Sequence, residues 1–273
     1  MKITVTRRES DGGLVRGTLS ELLPGWKREE SWLFFSPHDD DIAVAGAMLV
    51  QAAVAAGVQL SVRIATDGRM GYTSEEQREQ IVAIRKRETL ESFELLGVTD
   101  VRWYGYPDAD LYRHAGRRAV ENHNEPDQRS GYSGMQNSIT GELRAARPDR
   151  VFVLSGNDYH PDHKLLHQEL LISLFHAQGA IWPELGEPIP LVPPLYELAA
   201  YCPFSGEPDY QFQGDEDAFN RKLESIRAYR SQKQIEALLK GVEASGPSEY
   251  MRTYPYELYR PDLYASLFAD RRR

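Results

Sequence analysis

The chain holds a single cysteine, Cys202, in 273 residues, so no disulfide can close within it. That scarcity suits a reducing compartment, and a cytoplasmic location is expected. Cys202 lies in the apolar stretch Ala199-Ala200-Tyr201-Cys202-Pro203 and reads as a buried, inert thiol. Basic charge is also short. Lys and Arg number 32 against 41 Asp and Glu, a net charge of −9, which argues against nucleic-acid binding through a broad basic surface. The N-terminus lacks the apolar core of a signal peptide. The longest apolar stretch, Ile42 to Val58, is broken by Gln51 and preceded by three aspartates, and is too short for a transmembrane segment. No internal repeat and no low-complexity linker is present.

Hydrophobic residues make up 41% of the chain and charged residues 27%, ample for a core under a polar surface. The length predicts one α/β domain over 1–273. Residues 2–7 alternate as a strand does, and Asp11-Gly12-Gly13 is a turn, so 1–30 is expected to be a β-hairpin extension. From Ser31 a strand–helix rhythm begins: strand 31–36 and helix 42–56, strand 58–66 and helix 74–96 closed by Gly97. Strand 100–104, helix 135–147, strand 150–154, helix 161–178, strand 195–201 and helix 216–241 follow. Such alternation predicts a Rossmann-like, mainly parallel sheet with helices on both faces. Two irregular segments, the polar 107–133 and the proline-rich 179–194, are expected to be active-site loops. His114 and His123 in the first read as solvated. The tail 245–273 is expected to pack over the body.

Two short segments carry the chemistry. Ser36-Pro37-His38-Asp39-Asp40-Asp41 follows the apolar run Trp32-Leu33-Phe34-Phe35, and His160-Pro161-Asp162-His163 follows Val151-Phe152-Val153-Leu154. Each follows a buried strand and opens a helix, so both belong at the carboxyl edge of a parallel sheet, where such sheets place ligands. His38 and Asp41, three apart, can reach one ion, and His163 comes from the matching position after another strand. Two histidines and a carboxylate with an open position form the layout of a hydrolytic zinc centre. Aspartates also cap helix N-termini, which is the plain alternative for some of Asp39, Asp40, Asp41 and Asp162.

These motifs resemble the PIG-L / LmbE-like zinc-dependent N-deacetylases. That family's first motif, a histidine, a variable residue and two aspartates, maps onto His38 to Asp41, and its His-Pro-Asp-His motif is intact at 160–163. Thr66 to Gly71, Arg85 and Glu88 with Leu96-Gly97-Val98, Gly105-Tyr106-Pro107-Asp108 and Arg230-Ser231-Gln232 agree in order, from about residue 31 to 235. Two departures stand out: Asp39 replaces the usual proline, and Tyr229 stands where a histidine is common. The resemblance implies Zn2+, or another divalent first-row ion, held by His38, Asp41 and His163. The extra aspartate leaves a second register open, with Asp40 as ligand. In the family register Asp40 is the general base, a protonated His160 the electrophile and acid, and Asp162 the residue orienting His160. Arg85, Asp108 and Arg69 are candidates for substrate binding; for Arg85 a salt bridge and for Arg69 simple solvation are the alternatives. The expected reaction removes an acetyl group from nitrogen in a small N-acylated substrate, an amino-sugar conjugate. A non-haem iron oxygenase with two histidines and one carboxylate, and a non-catalytic binding protein of the same fold, are the competing classes. The oligomeric state is open, a homo-oligomer included.

Overall fold

The computed structural model describes residues 2–121, 123–258 and 260–268. In chain order the elements are β1 (Ile3–Arg8), β2 (Leu14–Gly17), α1 (Leu19–Leu22), β3 (Ser31–Ser36), α2 (Asp41–Ala55), β4 (Gln59–Thr66), α3 (Ile81–Leu96) and β5 (Asp100–Tyr106). Then come β6 (Arg118–Ala119), β7 (Tyr132–Ser133), α4 (Met135–Ala146), β8 (Arg150–Leu154), α5 (Pro161–Gln178) and β9 (Leu195–Leu198). The chain continues through β10 (Tyr210–Gly214), α6 (Glu216–Arg227), α7 (Ile235–Ser245) and β11 (Ser248–Tyr254). Nine strands form one mixed sheet in the order β2-β1-β10-β11-β9-β8-β3-β4-β5, and β6 pairs with β7 apart from it.

The five strands β5-β4-β3-β8-β9 run parallel. β3 lies between β4, its successor in the parallel set, and β8, which arrives only after α4. The direction of winding therefore reverses between β3 and β8, and the crevice beyond their carboxyl ends is where doubly wound sheets bind ligands. Both strands are apolar throughout because both faces are covered. Trp32, Phe34, Phe152 and Leu154 enter one core with α2, while Leu33, Phe35, Val151 and Val153 enter the other with α4 and α5. α2 is buried nearly all round, between the sheet and α3 and α6, which explains its lack of a polar face.

Several elements depart from the sequence expectation. The helix expected over 74–96 starts at Ile81, preceded by a 3-10 turn at Glu75–Gln77 where the Thr73 amide donates to Gln77 Oε1 at 3.0 Å. Gly97 closes it at φ +82°, as a left-handed cap requires. The single helix expected over 216–241 is two, α6 and α7, with an irregular stretch between them that reaches the crevice. The tail does not simply cover the body: β11 is inserted between β9 and β10. β1 and β2 pair as a hairpin, and β1 also pairs with β10, so this extension is continuous with the main sheet.

β11 also mends a break in α2. Gly46 leaves helical geometry at φ −145°, ψ 16°, where a Cβ would come within 2.9 Å of Leu198 Cδ1. Glu249 Oε2 accepts the freed Met48 and Leu49 amides at 2.8 and 3.2 Å. Lys222 Nζ donates to the Val44 carbonyl at 2.8 Å and to Glu249 Oε1 at 2.7 Å. Both side chains are buried. Lys222→Met strands the Glu249 charge and should lower stability by about 3–5 kcal/mol. The urea-unfolding midpoint measures this, and an unchanged midpoint would refute the bracing role.

Candidate active site

β3 ends at Ser36, and the chain turns through His38 into α2 with Asp40 at its N-cap position. The His38 amide donates to Asp41 Oδ2 at 2.9 Å, and Ser36 Oγ donates to the His38 carbonyl at 2.6 Å, which fixes the turn. β8 ends at Leu154; His160 caps α5 and Pro161 occupies its first turn, where the missing amide costs nothing. His38, Asp41 and His163 thus meet across the switch point. His38 Nδ1 lies 3.2 Å from Asp41 Oδ2, His163 Nε2 lies 3.3 Å from Asp41 Oδ1, and the two nitrogens are 3.3 Å apart. An ion with bonds of about 2.0–2.1 Å holds tetrahedral ligands about 3.3 Å from one another. Asp41 Oδ1, fully buried, has no hydrogen-bond donor. The donor set, its spacing and this orphaned oxygen fit a bound divalent cation.

The surrounding charge agrees. Burial alone would raise the Asp41 carboxyl, but His163 and His38 hold it well below the usual carboxylate range. Burial opposes charge on His38 too, yet Asp108, Asp162 and Asp41 raise it well above an ordinary imidazole. His163 is likewise raised, by Asp41 against its burial. The environment therefore favours positive charge on both histidines beside an ionised Asp41.

Each ligand-type histidine is backed by carboxylate. His163 Nδ1 donates to Asp158 Oδ2 at 3.0 Å, leaving Nε2 as the free donor atom. His38 Nε2 lies 3.4 Å from Asp162 Oδ2 and 3.6 Å from Asp108 Oδ1. Outer carboxylates of this kind fix the tautomer of metal-bound imidazole. The expected partnership of Asp162 with His160 is thus different in the structure. The Asp162 carboxylate faces His38, and only its backbone amide reaches His160, donating to Nδ1 at 3.3 Å. That bond assigns the ring proton of His160 to Nε2, and burial with the charges of His38 and His163 lowers its pKa. Both favour the neutral ring, whereas the sequence reading has a cation there.

The three consecutive aspartates go to three partners. Asp39 accepts Arg85 Nε at 2.8 Å, Arg85 Nη2 and Thr89 Oγ1 at 3.3 Å. Asp41 joins the histidines. Asp40 lies between, 3.5 Å from Arg85 Nη2, and its Oδ2 accepts Gln232 Nε2 at 2.9 Å. Burial raises the Asp40 carboxyl, with Arg85 opposing. Gln232 is held there because Glu88, one turn along α3 from Arg85, accepts the Ser231 amide and hydroxyl at 2.9 and 2.7 Å. Tyr229 donates to the Asp39 carbonyl at 2.5 Å. These bonds explain the break between α6 and α7.

A cleft of about 680 Å³ opens over the site, lined by His38, Asp40, Asp108, His160, Tyr201 and Leu238 among others. Arg85 also lines the cleft, with its Nε and Nη2 engaged by Asp39; the pair is buried, not on the helix surface as the salt-bridge alternative has it. Arg69 is half exposed, bonded to Asp67 at 2.8 and 2.5 Å, and does not line the cleft. Of 107–133 only Asp108 and Ala109 line it, and of 179–194 none does. Ile189 to Pro194 instead border a cavity beside Lys27, Glu30 and Asp149, at the amino edge of the sheet. His114, half-buried, packs its ring against Tyr106 with centroids 5.0 Å apart. Asp158, Gln232 as a partner of Asp40, and Tyr201 escaped the sequence reading. An acid two residues before the His-Pro-Asp-His motif was the signal for the first. Cys202 is buried, with Sγ 3.8 Å from Asp158 Oδ1. No helix among the described residues is long and apolar enough to cross a membrane.

The fold and site define an α/β protein with a buried histidine–carboxylate cluster at its topological switch point. The chain belongs to the PIG-L family: residues 33–172 match the family described as PIG-L, GlcNAc-PI de-N-acetylase. It is 24% identical over 221 residues to a probable N-acetyl-alpha-D-glucosaminyl L-malate deacetylase 2 of Bacillus cereus, covering 79% of this chain and 89% of that protein. The N,N'-diacetylchitobiose deacetylase of Pyrococcus horikoshii is similar in structure, with a TM-score of 0.67 and 25% identity over 87% of this chain and 88% of that one. The fold is also that of GalB, the 4-carboxy-2-hydroxymuconate hydratase of Pseudomonas putida KT2440, with a TM-score of 0.63 and 18% identity over 85% of this chain and 99% of that one. Fold alone does not choose between such reactions.

Asp158→Asn replaces the acceptor behind His163 by an amide of equal size. Metal affinity, read by competition with a chromogenic chelator, should fall roughly 10–100-fold. Unchanged affinity would show that Asp158 does not hold the ligand tautomer.

Proposed function

We propose that this protein is a metal-dependent N-deacetylase acting on a small N-acetylated amino-sugar conjugate. The observation that carries the reading is the triangle His38–Asp41–His163 with an orphaned buried oxygen, set beside the Asp40 carboxylate in the cleft lining. The deacetylase relatives favour amide hydrolysis over the hydratase chemistry that a similar fold hosts. A divalent ion, zinc as the first choice, would be held by His38, Asp41 and His163 and supply an acidified water and a Lewis acid for the amide carbonyl. Asp40 takes the proton of the attacking water; burial raises its pKa and so improves it as a base. Gln232 and Arg85 keep that carboxylate from turning toward the ion. His160, on the cleft wall with its proton on Nε2, donates a hydrogen bond to the oxyanion as a neutral imidazole. The carbon–nitrogen bond breaks, the proton held by Asp40 passes to the leaving nitrogen, and acetate and a free amine result. Asp108, at the cleft wall, is the residue best placed to accept from a sugar hydroxyl. The described residues work as one unit, since the segment between α6 and α7 completes a site built on β3 and β8. The buried Cys202 suits the cytoplasm.

Asp40→Asn should keep the metal and lower kcat by about 10²–10⁴-fold, because an amide cannot take the proton. Asp41→Asn should lose the metal. Acetate release and metal content, measured on both variants, test the assignment, and the opposite pattern would exchange the two roles. A wild-type protein inactive on N-acetyl sugars yet hydrating an enol acid would replace deacetylation by hydration.

His160→Ala should retain its metal and lose about 10²–10³-fold in kcat, the scale of one oxyanion donor. His160→Gln, which keeps a neutral N–H donor, should recover part of that loss. Loss of metal from His160→Ala would make His160 a ligand, and full activity would remove it from the mechanism.

A further inference from the structure

A second cavity, of about 660 Å³, lies along the same wall as the cleft. α7 turns one stripe toward both: Gln234, Ala237 and Leu238 line the cleft, and Ala237, Leu238, Gly241, Val242 and Ser245 line the second cavity. The spacing of three and four residues places all of them on a single helix face. Ile235 and Leu239 of α7 are buried in the core, and Leu238 and Val242 pack against its edge while staying partly exposed. The facing wall is also continuous. Tyr201 belongs to the cleft, while Ala200 and Phe204 from the same segment belong to the second cavity. Its floor is Val44 and Ala45 of α2. The charged pair in its lining, Lys222 and Glu249, is buried and satisfied by its own partners. The surface on offer is apolar and open, and it begins at the cleft.

We propose that this second cavity is a substrate subsite for an apolar alkyl or aryl substituent, carried by the same molecule whose amide is cleaved. The assignment rests on the deacetylase reading and deepens it. A sugar alone has no group that would seat against Leu238, Val242 and Phe204, whereas a glycoside with an apolar aglycone reaches them along the shared wall. Continuity with the cleft selects substrate over a partner protein as the occupant.

Gly241 provides the test, since a Cβ built there meets nothing within 4 Å. Gly241→Phe fills the cavity from an exposed helix position that does not line the cleft, and Gly241→Ala is its control. Binding of the methyl and hexyl β-glycosides of N-acetylglucosamine is measured by calorimetry with Asp40→Asn added to each protein, so that the glycoside is not consumed during the titration; acetate release is read with Asp40 in place. The wild-type protein and Gly241→Ala should bind the hexyl glycoside at least about tenfold more tightly. Gly241→Phe should bind the two alike and still release acetate from the methyl glycoside at the wild-type rate. Equal binding of both glycosides by the wild-type protein, or a preference that survives Gly241→Phe, would overturn the subsite. So would a change of oligomeric state in Gly241→Phe with the preference intact, which would make the cavity an interface between copies. Absence of acetate release from every glycoside would instead strike the deacetylase reading, while the calorimetric comparison still decides the cavity.

Discussion

The ion pair between Arg85 and Asp39 is the constraint on which the site depends. Asp39, Asp40, Asp41, Asp108, Asp158 and Asp162 are all buried or half-buried around one crevice, and Arg85 is the buried cation among them. Adjacent carboxylates in a low-dielectric interior cannot all ionise unless positive charge is supplied. Arg85 neutralises the first, and His38 and His163 face the third. The middle one, Asp40, has only a distant share of Arg85 and one amide donor. Buried pairs of this kind seldom add net stability. What this pair supplies is a division of labour among three chemically identical neighbours. The helical turn makes that division geometric, since successive residues at the start of α2 project about 100° apart.

α3 contributes twice to the arrangement. Arg85 and Glu88 are three apart, hence on one face. The first holds Asp39; the second holds Ser231 and through it the Gln232 that touches Asp40. The departure of this chain from the family pattern at Asp39 acquires a physical reading. With proline at that position, Arg85 would have Asp40 as its nearest carboxylate. With aspartate there, the guanidinium is drawn away, and Asp40 is left less stabilised in its charged form, which is the direction a general base requires.

Legibility in the sequence followed from how local each determinant is. The strands flanking the crevice were readable because burial on both faces makes them continuous apolar runs, and the Gly97 cap because it needs only one residue. The antiparallel half of the sheet was not readable: the place of β11 between β9 and β10 is set by Glu249 serving a break in α2, some 200 residues away. The apolar spacing of Phe219, Leu223, Ile226 and Tyr229 suggested one long helix, because Tyr229 is indeed buried; its hydroxyl, bonded to Asp39, is what ends the helical run. Residue types at the site were legible while side-chain directions were not. Asp162 adjoins His160 in sequence but turns to His38, and Arg85 carries the charge of a substrate clamp but is committed to Asp39. The loops 107–133 and 179–194 looked functional by length and composition. The latter instead packs at the opposite edge of the sheet.

His38 offers two faces with carboxylate on each, and the structure distinguishes them. On the Nε2 side, Asp108 Oδ2 already accepts the Met70 amide at 3.3 Å, and Asp108 and Asp162 both lie at hydrogen-bonding or slightly longer range of one ring N–H. That side is satisfied by a proton. On the Nδ1 side, Asp41 Oδ1 is fully buried without a donor, and His163 Nε2 is directed there with its own proton fixed on the far nitrogen by Asp158. A proton on Nδ1 could serve one Asp41 oxygen only; a cation serves Nδ1, the carboxylate and His163 Nε2 together. The proposed ligand set therefore uses the Nδ1 side of His38. It follows that Asp108 is joined to the cation site through a single imidazole while also forming part of the cleft wall, so that a substrate hydroxyl bonded to Asp108 would alter the basicity of a metal ligand as it binds.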